Sequence, residues 1–296
     1  MGSIQVLKFI TGHPLNRGRP GRALARYVRW QLGSRIAGRD LIEAWVNGSR
    51  FLARAGETGI TGNIYAGLQE FADMGYLLHA LRPEDAFVDV GANVGSYTIL
   101  AGAAIGARGW AFEPVPATFR RLDDNVRLNR LDGRVRHMNI AIGAAGGSLA
   151  FTRDLDTVNH ALADGDSREN SLTVEVRTLD EVLAGGSPAL VKMDVEGFET
   201  AVLQGASRTL ARESLHSVIM ELNGSGRRYG HDERRIVELM AGHGFSTHTY
   251  EPIARRLIDL DGGTLAEGNT LFIRDPQRIR EKLRTAPQFE ILGRAI

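Results

Sequence analysis

The chain of 296 residues contains no cysteine. It therefore cannot form a disulfide bond, a thiolate metal site or a cysteine nucleophile. Lysine is scarce as well, with three lysines against 33 arginines, while basic and acidic residues together leave a net charge of only +1. A charge this close to zero argues against a protein that binds nucleic acid through its overall field, so we expect no nucleic-acid partner.

Long hydrophobic runs are missing too. No apolar stretch reaches about 18 residues, which predicts that no transmembrane helix is present. The first 30 residues lack the long apolar core and the small-residue cleavage site of a secretory signal. A hydrophobic content of 43% and a charged content of 24% are typical of a soluble globular protein.

The basic residues are unevenly spread, because seven arginines fall between residues 17 and 39, where acidic residues are few. They are Arg17, Arg19, Arg22, Arg26, Arg29, Arg35 and Arg39. One interpretation is a solvated helix face in a chain that prefers arginine. The other is a surface for an anionic partner, such as a peripheral contact with a membrane or with a phosphorylated carrier.

The pattern of the chain changes near Arg82 and Pro83. Upstream, we expect helices over residues 22–32, 40–53 and 65–81, the last with apolar residues at helical spacing that need a partner surface. Downstream, apolar strands alternate with helices, which predicts an α/β fold with a mainly parallel sheet covered on both faces. The predicted domains are an N-terminal helical extension (1–81), an α/β domain (82–275) and a tail (276–296). The extension is expected to pack on the sheet domain as a lid or an oligomer contact.

The most informative segment is FVDVGANVGSYTIL, residues 87–100. An apolar strand containing Asp89 runs into a turn with Gly91, Asn93 and Gly95, and a helix follows. Glycines let a ligand approach the backbone, and a helix N-terminus offers free N–H groups. Glu113 ends the next apolar run, 24 positions after Asp89, close to the spacing of about 20 for a ribose-binding acid. The pattern predicts a cofactor that contains a nucleoside.

Two common nucleotide motifs are absent, namely G-x-G-x-x-G and G-x-x-x-x-G-K-[ST]. An acid just before the first glycine, Asp89, would repel a pyrophosphate but suits a cationic or amino-bearing ligand. S-adenosylmethionine, with its sulfonium and α-amino groups, meets this requirement. The alternatives are a nicotinamide-dependent Rossmann oxidoreductase and a non-catalytic binding protein that retains the fold.

A second motif, VKMDVEGFE at residues 191–199, ends another apolar strand with three charged residues at alternating positions: Lys192, Asp194 and Glu196. Alternation along a strand directs these side chains to one face. The carboxyl end of a parallel strand points into the ligand crevice. An internal Lys–Asp ion pair and a contact with the substrate are both compatible with this pattern.

With these motifs, the chain resembles the FkbM family of S-adenosylmethionine-dependent methyltransferases over about residues 87–245. The matching stretches are DVGANVGSYT, AFEPVP, NVRLNRL, NIAIG, VRTLDEVL, VKMDVEGFETAVLQGA and MELN. The resemblance implies a class I methyltransferase fold with a mainly parallel seven-stranded sheet. It also implies methyl transfer to the oxygen of a hydroxyl, in a small-molecule or glycan acceptor such as a sugar or secondary metabolite. Because the cofactor is made there, the expected location is the cytoplasm; homo-oligomer formation is left open.

The resemblance also implies roles for individual residues. Asp89, Gly91, Asn93 and Gly95 match the loop around the methionine moiety, and Glu113 matches the ribose-binding acid. Two further pairs of residues match family positions, one in the segment that borders the adenine and one at the acids beside the methyl donor. These are Asn139 and Ala141 for the adenine, and Asp194 and Glu196 for the methyl donor.

A hydroxyl acceptor needs help to lose its proton, so a general base is expected. Asp194 and Glu196 have the location, whereas His160 has the more suitable unperturbed pKa and is the leading candidate. Glu221, at the end of the next strand, is an alternative contact with the acceptor. Asp194, Glu196 and Glu221 could together bind Mg²⁺ through oxygen, but we expect no metal because the resemblance does not require one.

Overall fold

Eight strands form the central sheet of the computed structural model, which describes residues 3–57, 59–152, 161–162 and 171–296. In chain order the eight are β3 (Ala86–Val90), β4 (Arg108–Phe112), β5 (Val135–Met138), β9 (Leu190–Met193), β10 (Ser217–Glu221), β11 (Phe245–Glu251), β12 (Arg256–Asp259) and β13 (Asn269–Arg274). Six strands were expected downstream of residue 82, over residues 87–90, 110–113, 136–140, 190–194, 217–222 and 271–274, and each is present. The sheet has one strand more than the seven expected, because β12 adds to its edge.

The strands lie in the order β12-β11-β13-β10-β9-β3-β4-β5. Strands β3, β4, β5, β9 and β10 are parallel, while β13 runs antiparallel between β10 and β11. The direction of strand addition reverses between β3 and β9. Ligands of open α/β sheets bind at such a switch point, outside the carboxyl ends of the strands. The topology therefore directs attention to the ends of β3 and β9.

Helices cover both faces of the sheet. On one face lie α4 (Phe71–Ala80), α5 (Ser96–Ile99) with its π-helical continuation (Leu100–Ile105), α6 (Pro116–Leu128) and α11 (Pro276–Arg284). On the other face lie α7 (Leu179–Val182), α8 (Glu199–Gln204), α9 (Ser207–Leu210) and α10 (Glu233–Gly242). Alternate residues of β3 pack in the two hydrophobic cores, with Phe87 in the core on the first face and Val88 in the core on the second.

Two small sheets flank this framework. Strands β6 (Ala141–Ile142), β7 (Gly147–Thr152) and β8 (Ser171–Arg177) pair in the order β6-β8-β7 beside the carboxyl end of the central sheet. Strands β14 (Glu290–Ile291) and β15 (Arg294–Ala295) form a short hairpin near the end of the chain. Ile291 and Ile296 belong to the same buried cluster as Phe87, so the tail packs into the core.

The N-terminal part is less helical than expected. It contains α1 (Ser3–Gly12), α2 (Pro20–Ala37), strands β1 (Leu41–Ala44) and β2 (Arg50–Ala53), and α3 (Gly62–Ala66). The predicted helix over residues 40–53 is wrong, because β1 and β2 pair as an antiparallel hairpin. Its turn contains Asn47 and Gly48, both at positive φ. The Asn-Gly pair is a strong hairpin signal that outweighs helical periodicity.

The predicted helix over residues 65–81 is divided into α3 and α4 by an irregular stretch that begins at Gly67, at φ 82°. Its apolar residues nevertheless pack as expected against the sheet. Leu68, Leu77 and Leu78 are fully buried in the cluster that contains Leu190 of β9. The division into an extension, a central domain and a tail stays a prediction. Among the described residues, no helix combines the length and apolar character required to cross a bilayer.

Candidate active site

The turn after β3 carries the first predicted site residues. Asp89 is buried and accepts a hydrogen bond from Thr98 Oγ1 at 2.6 Å. Burial raises the pKa of Asp89 to about 6, although the Thr98 hydroxyl and the nearby Lys192 favour the charged form. Asn93, at φ 51°, bends the turn so that its own backbone N–H points to Glu113.

Glycine is required at positions 91 and 95 because other parts of the protein lie too close to leave room for a side chain. A β-carbon on Gly91 would collide with the carbonyl oxygen of Asp194, at the end of the neighbouring strand β9. A β-carbon on Gly95 would lie 2.8 Å from Leu122 Cδ1 of α6. Both glycines also have positive φ. Gly91 thus lets the ends of β3 and β9 meet, and both Gly91 and Asp194 line the resulting crevice.

Glu113 follows β4 and is held by backbone donors on both oxygens. Its Oε2 accepts from the N–H of Asn93 at 3.0 Å, and its Oε1 accepts from the N–H of Val115 at 2.9 Å. Burial raises its pKa to about 7, although both N–H groups favour the ionised form. Each carboxylate oxygen has more than one lone pair, so this acid can still accept hydrogen bonds from a ligand in the cleft.

A cleft of about 650 Å³, including its open mouth, lies beside Glu113. Its walls are largely apolar and come from the ends of β4 and β9 and from the small sheet. They include Phe112, Val115, Ile140, Ile142, Phe151 and Phe198. A flat apolar ring system fits such walls, and the Glu113 carboxylate stands at their edge.

The two residues predicted at the adenine border separate in the structure. Ala141 lines the cleft together with Ile140. The Asn139 side chain instead donates hydrogen bonds of 2.8 Å to the carbonyl oxygens of Glu113 and Pro114. Asn139 therefore fixes the segment that carries Glu113.

A second cavity adjoins the first across Gly91, Asn93 and Asp194, and the N-terminal part forms one of its walls. Gly59, Ile60, Gln69, Glu70 and Met74 contribute to that wall. The hydroxyl of Tyr97 donates a short hydrogen bond to Glu70. None of these residues was predicted as a site residue, although the segment was expected to pack on the sheet domain as a lid or an oligomer contact.

Lys192 is the only lysine in this cavity's lining, and its side chain is 3% exposed. Its Nζ lies 3.3 Å from Asp194 Oδ2 and 5.1 Å from the centre of the Tyr97 ring. Within the described part of the chain, Nζ has no partner in hydrogen-bonding geometry. Burial alone would lower the pKa of Lys192, but the nearby carboxylates, led by Asp194 and Glu70, reverse this and raise it. The ammonium group therefore stays charged with donors to spare.

The acids after β9 converge as predicted. Asp194 is about one-third exposed and borders both cavities, and Glu196 lines the first. Burial raises the pKa of Glu196 to about 7, helped by the charges of Asp194 and Glu221. Glu221, at the end of β10, has a pKa raised by burial and by Asp194. Each of these carboxylates therefore makes ionisation of its neighbours less favourable. A cluster of this kind is typical of a site that binds a cation or transfers a proton.

His160 lies outside the described residues. Within the described ranges, no group of three or more histidine or acidic side chains is arranged to hold a metal ion.

The loop between Asp194 and α8 is held in place by Glu199, whose Oε1 accepts hydrogen bonds of 3.3 Å from the N–H groups of Val195 and Gly197.

Comparison with known proteins identifies the family. The methyltransferase FkbM domain matches residues 89–247, from the acid at the end of β3 to the start of β11. The chain belongs to the FkbM methyltransferase family. It is an α/β protein of the class I methyltransferase type, and its enzyme class is that of the methyltransferases. The alternatives of a nicotinamide oxidoreductase and of a non-catalytic binding protein are therefore set aside.

The names of two relatives state a substrate. The hexuronic acid methyltransferase AglP of Haloferax volcanii is 31% identical over 176 residues, which span 58% of this chain and 67% of AglP. The 31-O-demethyl-FK506 methyltransferase FkbM of Streptomyces tacrolimicus is 28% identical over 210 residues, or 60% of this chain and 79% of that protein. The crystal structure of methyltransferase FkbM from Methylobacillus flagellatus KT is 17% identical, with a TM-score of 0.44. That match covers 65% of this chain and 44% of the other.

Proposed function

We propose that this protein is an S-adenosylmethionine-dependent O-methyltransferase that acts on a hydroxyl of a sugar, glycan or secondary metabolite. The observation that carries the proposal is the Glu113 carboxylate, fixed by two backbone N–H groups at the edge of an apolar cleft. A ribose diol needs such a pair of acceptors, and an adenine ring needs such walls.

The chain's own residues fit the whole of this cofactor. Glu113 would accept hydrogen bonds from the ribose hydroxyls, and Phe112, Ile140 and Phe198 would enclose the base. The acid-lined cavity beyond Gly91, with Asp89 and Asp194, would take the amino-bearing end. When bound, S-adenosylmethionine would supply an electrophilic methyl group on its sulfonium, with the neutral thioether S-adenosylhomocysteine as the leaving group.

The acceptor oxygen is assigned to the neighbourhood of Asp194, because this side chain borders both cavities. Lys192 lies 3.3 Å from Asp194 and holds its carboxylate in position. Its ammonium has no partner in hydrogen-bonding geometry within the described part of the chain and places a positive charge beside the carboxylate. Positioning of this kind contributes much of the rate when the leaving group is already good.

Removal of the hydroxyl proton requires a general base, for which the chain offers two candidates. Glu196, with a pKa of about 7, can exchange a proton near neutral pH, and Asp194 orients the acceptor beside it. His160 remains our leading prediction for the base, by its unperturbed pKa. The two relatives named above act on a hexuronic acid and on 31-O-demethyl-FK506. A carbohydrate or a secondary metabolite is therefore the acceptor class we favour here.

Mass spectrometry with deuterium-labelled S-adenosylmethionine tests the proposal. Screened over glycan and hydroxylated-metabolite extracts, the protein should add one labelled methyl group, and fragmentation should assign it to oxygen. Asp194→Asn should lower turnover by about 10²–10⁴-fold if this carboxylate orients or deprotonates the acceptor.

Asp259→Asn, on the edge strand β12 and half-exposed, is the matched control and should keep full activity. Transfer to nitrogen or carbon would contradict the proposal. Full activity of Asp194→Asn would remove the assigned role from that residue.

A further inference from the structure

Helix α2 carries an apolar stripe on its outer side. Val28, Leu32 and Ile36 are 51%, 58% and 84% exposed. Residues four apart share one face of a helix, so the three form a continuous stripe along its last turns. The opposite side, with Ala23 and Trp30, is buried against the rest of the protein. Single exposed apolar residues are ordinary, whereas an aligned set on one helix marks a contact surface.

Positive charge surrounds this stripe. Residues 1–39 contain eight arginines and lysines and no acidic residue. On a helix of 100° per residue, Arg35 and Arg29 lie about 20° outside the two edges of the stripe. Both are exposed, as is Arg22, nearly two turns before Val28. Arg26 differs, because its guanidinium bonds to Asn16 and to the carbonyl oxygen of Tyr65 and so holds the helix to the protein.

An apolar stripe edged by arginines, on a helix that has no acidic residue of its own, is the composition of a helix that lies in a membrane interface. An acid from outside the helix, Glu43 of β1, interacts with Arg29. Two alternatives fit less well. A second copy of the chain would bring this uniformly positive segment against itself in a twofold contact, at a cost in repulsion. A nucleic acid would pair with the arginines but would leave the apolar stripe in water.

We propose that α2 docks the protein on an anionic lipid surface. Val28, Leu32 and Ile36 would enter the boundary between headgroups and acyl chains, while Arg22, Arg29 and Arg35 would contact lipid phosphates. The binding surface is separate from the methyl-transfer site and does not depend on its chemistry.

The surface is nevertheless coupled to the site by packing. The rings of Tyr27 in α2 and Tyr65 in α3 meet edge to face at 5.4 Å. Gly59 and Ile60, just before α3, line the second cavity. Helix α2 and the segment that walls the cavity beside Asp194 therefore pack in the same N-terminal part of the protein.

Vesicle sedimentation with the full chain tests the proposal. The protein should sediment with vesicles of phosphatidylcholine plus phosphatidylglycerol, should not do so with phosphatidylcholine alone, and should be released by salt. Val28→Ser, Leu32→Ser and Ile36→Ser together should lower the partition coefficient by about tenfold or more. Arg22→Gln, Arg29→Gln and Arg35→Gln together should have an effect of similar size.

The matched control is Ile253→Ser with Ile258→Ser, which removes two other exposed apolar side chains and should leave binding unchanged. Circular dichroism of each variant should match the wild type, since all substituted side chains are on the surface. Equal binding to both kinds of vesicle, or full binding by the triple serine variant, would overturn the proposal. A dimer in sedimentation velocity that the serine variant dissociates, without vesicle binding, would reassign the face to a second copy.

Discussion

The Glu113 carboxylate is the most direct link between this chain and a ribose. Glu113→Gln keeps the size of the side chain but replaces one acceptor oxygen with a donor, beside backbone N–H groups that already point at it. We expect the affinity for S-adenosylhomocysteine to fall by about 1.5–3 kcal/mol, the range for a hydrogen bond to a charged group. Isothermal titration calorimetry measures this loss.

Asp180→Asn is the control for that experiment. Asp180 also accepts from two backbone N–H groups, those of Arg208 and Thr209, but it does not line the described cleft. Its substitution should lower stability and leave the affinity unchanged. If both variants bound the ligand as the wild type does, Glu113 would be a structural acid and the ribose assignment would be wrong.

Strand ends explain which site residues could be predicted from the sequence. Asp89 lies near the end of strand β3, and Glu113 and Asp194 directly follow β4 and β9. Parallel topology brings such positions together at one edge of the sheet. Glu70 and Tyr97 could not be predicted, because their pairing depends on how α4 and α5 pack. Such contacts join residues far apart in sequence and leave no periodic pattern.

Helix α6 connects the N-terminal hairpin to the glycine turn. Asn125 accepts from the N–H of Leu52 in β2 and donates to the carbonyl oxygen of Val94, both at 2.8 Å. Asn125→Ala should lower stability by about 1–3 kcal/mol for each group left unsatisfied. It should also weaken cofactor binding, because the turn after β3 loses its support. Urea unfolding and calorimetry measure the two effects.

Asn129, which caps the C-terminus of α6 four residues after Asn125, provides the matched comparison. It bonds to both the N–H and the carbonyl oxygen of Arg50 in the same strand but not to the glycine turn. Asn129→Ala should therefore lower stability and spare the affinity. An equal loss of affinity in both variants would mean that the hairpin as a whole, rather than the Asn125 bond, supports the turn.

At the level of helices and strands, the alternating part of the chain was predictable and the N-terminal part was less so. Downstream of Ala86, long apolar strands and amphipathic helices repeat, and each predicted strand occurs within a few residues. In residues 40–53, the Asn47–Gly48 turn decides the structure locally, and periodicity gave the wrong answer. Strand β12 was missed because its burial comes on one side only, at the sheet edge.

Buried acids should make the stability of the whole ligand-free protein depend on pH. Burial raises the pKa of Asp73 to about 7, with the charge of Glu70 adding to the effect, whereas an unfolded aspartate titrates near 4. Between these values the folded state holds a proton that the unfolded state has lost. The contribution of Asp73 to stability is therefore complete below about pH 4 and is lost as the pH rises to about 7.

Asp73→Asn removes this titration while keeping an acceptor for Asn269, which bonds to Asp73 at 3.0 Å. Relative to the wild type, the variant should gain up to about 1.4 kcal/mol in unfolding free energy for each pH unit between about 5 and 7. Urea unfolding at several pH values measures the difference. Parallel curves for the two proteins would show that Asp73 ionises normally in the folded state.

The insertion of β13 between β10 and β11 has a consequence for synthesis on the ribosome. The sequence that matches the family ends at residue 247, yet β13, residues Asn269–Arg274, supplies the hydrogen-bonding partners of both β10 and β11. Until Arg274 has left the exit tunnel, β10 presents an open edge, and β11 can pair only with β12 and not with the rest of the sheet. Incompletely synthesised chains therefore expose unpaired strand edges, which are prone to aggregation. A stalled or truncated product ending near the family boundary should be a substrate for chaperones rather than a smaller working enzyme.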